Sequence, residues 1–163
     1  MYTDPVIDKY IALIKANNPK IKKFYQGEPY KVGTSNLPAI FIAKTDTAVG
    51  PHSNAEDQHE IEFKLTLVTD IRDDLSTNEE NVVAGIATLY EIMEGREATT
   101  YKLKTDSILN IIRTNIDVDT AQNLRTDLGS VTRVDYGDTF NNREASWFIE
   151  ANISFIGNYT QLR

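Results

Sequence analysis

The sequence predicts a single α+β domain with a mainly antiparallel, mixed β-sheet of about four to five strands packed against two to three α-helices. Three observations support this fold class. Apolar residues recur with helical spacing near the N-terminus and in the middle of the chain, strict alternation marks residues 59–71, and alternation returns in the last third. Regular strand-helix alternation, which would demand a parallel sheet, is missing. A chain of 163 residues, 40% of them hydrophobic, is long enough for one domain with its own core.

The first element is a helix predicted over residues 4–16. Pro5 suits the first helical turn, with Thr3 or Asp4 as the cap. The "NNP" sequence at 17–19 ends the helix, because the residue before a proline is pushed out of helical geometry. Its buried side is Val6, Ile7, Tyr10, Ile11 and Ile14.

Two strands follow, with a polar segment between them. "LPAIFIAK" is β-branched and aromatic and predicts a strand over residues 39–44. "HEIEFKLTLVTDI" alternates strictly, with Ile61, Phe63, Leu65 and Leu67 on one side, and predicts a half-buried strand. The segment from about residue 45 to 59 lacks apolar periodicity, so we predict a long, exposed and mobile polar loop there.

Two more helices are predicted in the middle of the chain. Ser76 and Glu79 have capping-box spacing, and an apolar stripe follows as far as Met93, so a helix is predicted over residues 77–94, closed by Gly95. The sequence "DSILNIIRTN" predicts a shorter third helix, capped by Thr105 or Asp106.

The last third predicts a long antiparallel hairpin. "SVTRVDY" and "ASWFIEANISFIG" are separated by the polar turn "GDTFNNRE". In the second strand one face is apolar and consists of Trp147, Ile149, Ala151, Ile153 and Phe155.

Composition excludes several classes of protein. The chain has no cysteine, which removes disulfides, thiolate nucleophiles and zinc-cysteine clusters. It has no run of about 18 apolar residues and no signal-peptide pattern, so we expect a soluble protein with no membrane contact. A net charge of −7 disfavours nonspecific binding to nucleic acid.

A metal site is the first chemical hypothesis, since "GPHSNAEDQHEIEF" contains both histidines of the chain, His52 and His59, with Glu56 and Asp57 between them. Six residues separate the histidines. That spacing fits neither the i, i+4 pair of a helical metal motif nor the i, i+2 pair of a strand. We therefore predict no metal ligands here, and a metal-dependent enzyme around His52 and His59 stays an alternative.

Other catalytic arrangements have less support. The acidic groups "RDD" at 72–74, "DVD" at 117–119 and Asp135 with Asp138 lie at predicted element ends, where aspartate commonly bonds to its own backbone. No nucleophile elbow or phosphate-binding glycine motif occurs. We predict a protein that is not an enzyme and needs no cofactor.

The order of elements resembles that of tail terminator (tail completion) proteins of long-tailed bacteriophages. The resemblance covers nearly the whole chain as a pattern. Its clearest pieces are "EIEFKLTLVTDIRDD" running into a helix and the terminal strand "ASWFIEANISFIG".

The resemblance implies a structural protein of the virion, at the head-tail junction, that is present in the host cytoplasm during assembly. It implies a homo-oligomer, a hexameric ring that caps the tail tube, stops tube polymerisation and offers a docking surface to the head-tail connector protein. DNA would pass through the channel without specific binding. The residues expected at subunit or partner interfaces are His52, Asn54, Glu56, Asp57, His59, Arg72, Asp73, Asp74, Asp138 and Arg143.

Two further alternatives remain open. One is another neck or head-tail joining protein. The other is a small ligand-binding α+β module in which Trp147 and Tyr90 line a cavity.

Overall fold

The computed structural model describes residues 3–28, 32–70, 79–137 and 148–163. These residues form three α-helices and seven β-strands. The helices are α1 (Pro5–Asn17), α2 (Glu79–Glu94) and α3 (Ile108–Thr114). The strands are β1 (Lys23–Gln26), β2 (Ala39–Pro51), β3 (Glu56–Asp70), β4 (Asp117–Asp119), β5 (Leu124–Thr126), β6 (Asp135–Gly137) and β7 (Phe148–Leu162).

All strands belong to one mixed sheet in the order β1-β2-β3-β7-β5-β4, and β6 also pairs with β7. Of the strand pairs that the structure describes, β1 with β2 is parallel and the others are antiparallel. The predicted α+β class is confirmed, but the sheet has more strands than predicted. Strands β1, β4, β5 and β6 have only three or four residues each, which is too short for alternation to identify them.

The core lies between the three helices and one face of the sheet. Every second residue of β3 points to this helix-covered face: Ile61, Phe63, Leu65 and Leu67 are all 2% exposed or less. The ring of Tyr10 lies 5.3 Å from that of Phe63 and 4.8 Å from that of Phe155. Offset and tilted aromatic pairs at this distance stabilise a core beyond the area they bury.

A smaller apolar cluster covers part of the opposite face. Leu37, Ala39 and Val68 are buried there, and Tyr25 and Phe41 pack against them. The tilted contact between these two rings, 5.6 Å between centroids, joins β1 to β2. The sheet is therefore apolar on both faces near this end, and the rest of the outer face is mainly polar across β3 and β7, with Ile156 as a half-buried exception.

Helix α1, at Pro5–Asn17, is confirmed within one residue at each end, and Asp4 is its cap. The carboxylate of Asp4 accepts hydrogen bonds from the backbone N–H groups of Val6 and Ile7, at 2.9 and 3.2 Å. It also forms an ion pair with Lys44 of β2. Burial would raise the pKa of Asp4, but the hydrogen bond from Lys44 and the two backbone N–H groups outweigh it and hold the pKa below its ordinary value.

Replacing Asp4 with alanine should lower the free energy of unfolding by about 1–2 kcal/mol at neutral pH. A depressed folded-state pKa gives stability that is present above the unfolded pKa of about 3.9 and is lost as the pH falls through the folded value. Urea unfolding at pH 7 and at pH 3 measures this. The difference in the free energy of unfolding between wild type and Asp4→Ala should be smaller at pH 3 than at pH 7. Asp4→Asn is the matched control, because it keeps a capping oxygen without the charge. An equal difference between wild type and Asp4→Ala at both pH values would contradict the linkage.

Helix α3 is confirmed, but its predicted cap is wrong. The hydroxyl of Ser107, which is fully buried, accepts from the N–H of Asn110 at 3.4 Å. Asp106 instead forms an ion pair with Lys20 at 3.4 Å. Helix α2 ends at Glu94 before Gly95, as predicted, whereas the proposed capping box at Ser76 lies outside the described residues.

The predicted polar loop over residues 45–59 is wrong. Strand β2 continues to Pro51 and β3 starts at Glu56, so only residues 52–55 form a turn. The strands pair across this region, with Gly50 opposite Gln58 and Ala48 opposite Glu60. The side chains of these strand segments are exposed or half-buried, so neither face has to be apolar, and pairing through the backbone leaves no periodicity in the sequence.

The predicted C-terminal hairpin is confirmed only in part. Strand β6 pairs with β7 antiparallel, and within the described residues this pairing covers Asp135 to Gly137. The main partner of β7 is β3, along its whole length from Phe148 to Leu162. The inward face of β7 is as predicted for Ile149, Ala151, Ile153 and Phe155. Trp147 and the polar turn lie outside the described residues.

Candidate functional site

The most distinctive surface is a three-stranded arm made of residues 46–51 of β2, 56–60 of β3 and 158–162 of β7. The three strands are in register: Gly50, Gln58 and Thr160 lie side by side. The buried residues Ile61 and Gly157 mark the level at which the core ends. No residue of the arm is fully buried, and Tyr159 packs against the edge of the core.

Five of the residues predicted at interfaces lie in this arm or at its tip. His52 and Asn54 are exposed in the turn, and Glu56, Asp57 and His59 belong to β3. The other five, Arg72, Asp73, Asp74, Asp138 and Arg143, lie outside the described residues.

The two histidines have separate environments. The ring of His59 lies on the helix side of the sheet between Val49 and Tyr159, its partners in the neighbouring strands. It stacks on Tyr159 with 4.5 Å between centroids and 8° between planes. His52 sits in the turn, where its N–H donates to the carbonyl of Glu56 at 2.9 Å. In the described part of the chain, no three His, Asp or Glu side chains are grouped so that they could hold a metal ion.

Asp57 has a structural partner that the sequence did not indicate. Nε of Arg163 donates to its carboxylate at 2.7 Å, and the N–H of Arg163 donates to the carbonyl of Ala55 at 2.9 Å. These contacts hold the end of β7 against the hairpin turn. The two side chains are 106 residues apart, so only the pairing of β3 with β7 reveals the contact.

Among the described residues, no strand pairs with the β2 edge of the arm, and none pairs with its β7 edge beyond Asn158. Strand β1 pairs with β2 only as far as Ile42, so beyond that residue no described strand borders the outer edge of β2. Strand β5 pairs with β7 only at Gly157 and Asn158. The chain leaves the sheet just before β5, where Asn123 has a left-handed φ of 53°. Unpaired edges invite another chain to add a strand.

The two edges differ in how well they are protected. Strand β2 has a register shift between Lys44 and Asp46 and ends in Pro51, which has no N–H to donate. Both features discourage strand addition. On β7, Ile156 directs its carbonyl to Asp127 and its N–H to Ser130, on the β5 side. Backbone N–H and C=O groups of successive residues in a strand point to opposite neighbours. Those of Thr160 and Leu162 therefore point to the same side as those of Ile156, beyond the end of β5.

A groove of about 410 Å³ lies beside this edge of β7, on the helix side of the sheet. Helix α1 forms one wall, and the segment around β4 and β5 forms another. Pro5, Val6, Leu124 and the ring of Tyr159 give the groove an apolar part, and its rim is polar, with an ion pair between Lys9 and Asp119 at 2.9 Å. The hydrogen bond from Lys9 holds the pKa of Asp119 below its ordinary value. The lining residues are Pro5, Val6, Lys9, Asp119, Gln122, Leu124, Tyr159, Thr160 and Gln161.

A second, more open groove of about 390 Å³ lies between α2 and β6. Tyr90 and Tyr136 meet edge to face there, with 4.7 Å between centroids. Burial, followed by the nearby carboxylate of Glu94, raises the pKa of Tyr136. Tyr90 is 47% exposed, so it lies at the surface and not against an enclosed cavity as the ligand-binding alternative expects. Trp147, the other residue of that hypothesis, is outside the described residues.

Comparison with known protein families finds no matching family, and comparison with curated proteins finds no matching protein. None of the described helices is both long enough and apolar enough to span a membrane.

Proposed function

We propose that this protein is a structural component of a phage virion that caps the tail tube as a hexameric ring, ends tube polymerisation and forms the surface to which the head-tail connector docks. The observation that carries the proposal is the three-stranded arm. It projects past the core, has open strand edges on both sides and ends in an exposed turn.

An arm of this kind is expected in a protein that works by contact with other proteins. Val49 is 57% exposed and Leu162 is 73% exposed, so apolar area is left in water at the tip. Leaving these side chains exposed does not stabilise a single copy, whereas burying an aliphatic side chain stabilises a protein by about 1.5–3 kcal/mol. A neighbouring subunit, or the last ring of the tube, would cover these side chains.

The charge of the arm is compatible with a channel through which DNA moves. Residues 46–60 contain Asp46, Glu56, Asp57 and Glu60 and no lysine or arginine. An acidic lining repels phosphate, so DNA would slide past it without binding. The overall charge of −7 agrees with this role.

Mass measurement by light scattering, with and without the tube protein, tests the proposal. With polymerising tube protein we expect six copies at the tube end and shorter tubes in electron micrographs. Leu162→Asp should fold normally and fail to cap, because it places a charge on the apolar tip. Tyr101→Asp is the matched control, since Tyr101 is also 73% exposed but lies in the loop after α2.

Two outcomes would contradict the proposed capping of the tail tube. A protein that stays monomeric and leaves tube length unchanged is not a terminator. A protein that ignores the tube but binds the connector would instead be another neck or head-tail joining protein.

A further inference from the structure

The chain has two apolar surfaces that a single copy leaves exposed to water. The first is the groove beside the open edge of β7, and the second is the exposed side chain of Val49, on the opposite, β2 edge of the arm. Val49 cannot reach the groove of its own copy, which points to contact between copies.

The groove can accept an aliphatic side chain. Val6 and Leu124 form apolar walls, and the ring of Tyr159 forms part of the floor. Leu124 is buried, whereas Val6 and Tyr159 are half-buried at the edge of the core. At about 410 Å³ the groove has room for more than one small aliphatic group.

The arm tip offers such a side chain. Val49 lies directly opposite His59, and His59 lies opposite Tyr159. Val49 therefore points to the helix side of the sheet, the side on which the groove opens. It is held two strands away from Tyr159, about 10 Å at ordinary strand spacing. The His59 ring stacked on Tyr159 fills the space between them, so Val49 cannot enter the groove of its own copy.

We propose that the arm tip of one copy docks in the groove of a second copy, with Val49 against Val6, Leu124 and Tyr159. The inference rests on the proposed function, because it assigns the surface by which copies join in the ring. Each copy contributes a tip on one side and a groove on the other. Such a head-to-tail contact generates rings when the rotation closes.

Charge complementarity supports the same pairing. The hairpin over residues 46–60 contains four carboxylates and no lysine or arginine, and one of the four, Asp57, is paired with Arg163. The exposed cation at the rim of the groove is Lys9, whose side chain is 53% exposed even while it contacts Asp119. An incoming carboxylate can therefore share Lys9, and the association should weaken as salt is added.

Cysteine cross-linking tests the contact. Because the chain has no cysteine of its own, only the introduced thiols can form a disulfide. Val49→Cys marks the tip and Gln122→Cys marks the groove. Mixed under mild oxidation in the presence of tube protein, the two single variants should give a cross-linked pair, whereas either variant alone should give none. The Val49→Cys and Gln122→Cys double variant should give a ladder reaching six copies. The control pairs Val49→Cys with Thr114→Cys, an exposed position at the end of α3.

The outcomes separate the inference from the proposed function. Six-copy rings without the Val49 to Gln122 cross-link overturn the docking proposal and leave the ring intact. A cross-link in a protein that does not cap tubes supports the docking contact and contradicts the proposed function. No cross-link in the mixture, with or without capping, overturns the docking proposal. A double-variant ladder that stops at two copies replaces the ring contact with a two-fold one.

Binding strength gives an independent readout. Val49→Asp should weaken self-association roughly tenfold or more, because it places a carboxylate against the apolar side chains of Val6, Leu124 and Tyr159. Val49→Ile should keep the association, and both variants should unfold at the wild-type denaturant midpoint because Val49 is exposed. Unchanged association of Val49→Asp would contradict the proposal.

Discussion

Replacing Phe63 with alanine is expected to lower the free energy of unfolding by about 3–5 kcal/mol. Phe63 is fully buried in β3, one of the two central strands of the sheet. Its ring packs against Tyr10 of α1 and, at 5.4 Å, against Phe155 of β7. The substitution therefore leaves a cavity where the first helix and the two longest strands meet, and three aromatic contacts become one.

Chemical denaturation followed by far-ultraviolet circular dichroism measures this loss. Val49→Ala is the matched control, since it truncates a side chain of the same sheet that is 57% exposed and should change stability by no more than about 0.5 kcal/mol. A loss below about 1 kcal/mol for Phe63→Ala would mean that the aromatic cluster does not hold the core as described.

Replacing Gly157 with alanine is expected to lower the free energy of unfolding by about 1–3 kcal/mol. A Cβ at this position would lie 2.8 Å from Oη of Tyr10 and 3.1 Å from the ring of Phe63. Tyr10 cannot move away freely, because it is fully buried and its hydroxyl is bonded to the Thr126 hydroxyl at 2.9 Å. The absence of a side chain at Gly157 thus leaves room for Tyr10 of α1 to pack against β7.

Gly50 provides the control for this prediction. It also lies in a strand of the same sheet, but a Cβ there would meet no atom within 4 Å. Gly50→Ala should therefore leave the unfolding midpoint nearly unchanged or raise it slightly, since alanine restricts the unfolded chain. Equal effects at the two glycines would show that backbone conformation, and not the contact with Tyr10, decides the cost at Gly157.

The Gly157→Ala variant also tests the arm. Gly157 lies at the level where the core ends and the arm begins, so Gly157→Ala should disturb the base of the arm as well as the core. Variants confined to the tip, such as Val49→Asp and Leu162→Asp, should change association without changing stability. The structure therefore predicts a clear separation between positions that hold the fold and positions that serve assembly.

The site was predictable only in outline. The sequence drew attention to the stretch from Gly50 to Phe63 because both histidines lie in it, and its exposed residues do form the tip and one strand of the arm. Sequence spacing could not show that His59 stacks on Tyr159 or that Asp57 pairs with Arg163. Tyr159 and Arg163 come from the far end of the chain, and their contacts follow from the register of β3 with β7.

The sequence by itself determined the elements whose signals are local. Helix α1 has its cap, its first-turn proline and its apolar stripe within thirteen residues, and β3 shows strict alternation where it crosses the core. These features also settled the α+β class. Tertiary structure alone decided that β2 and β3 extend beyond the core, that the short strands β1, β4, β5 and β6 join the sheet, and that a groove opens beside β7. The physical reason is that strands of the arm are held by backbone hydrogen bonds to partners distant in the chain, and such bonds place no requirement on side-chain polarity.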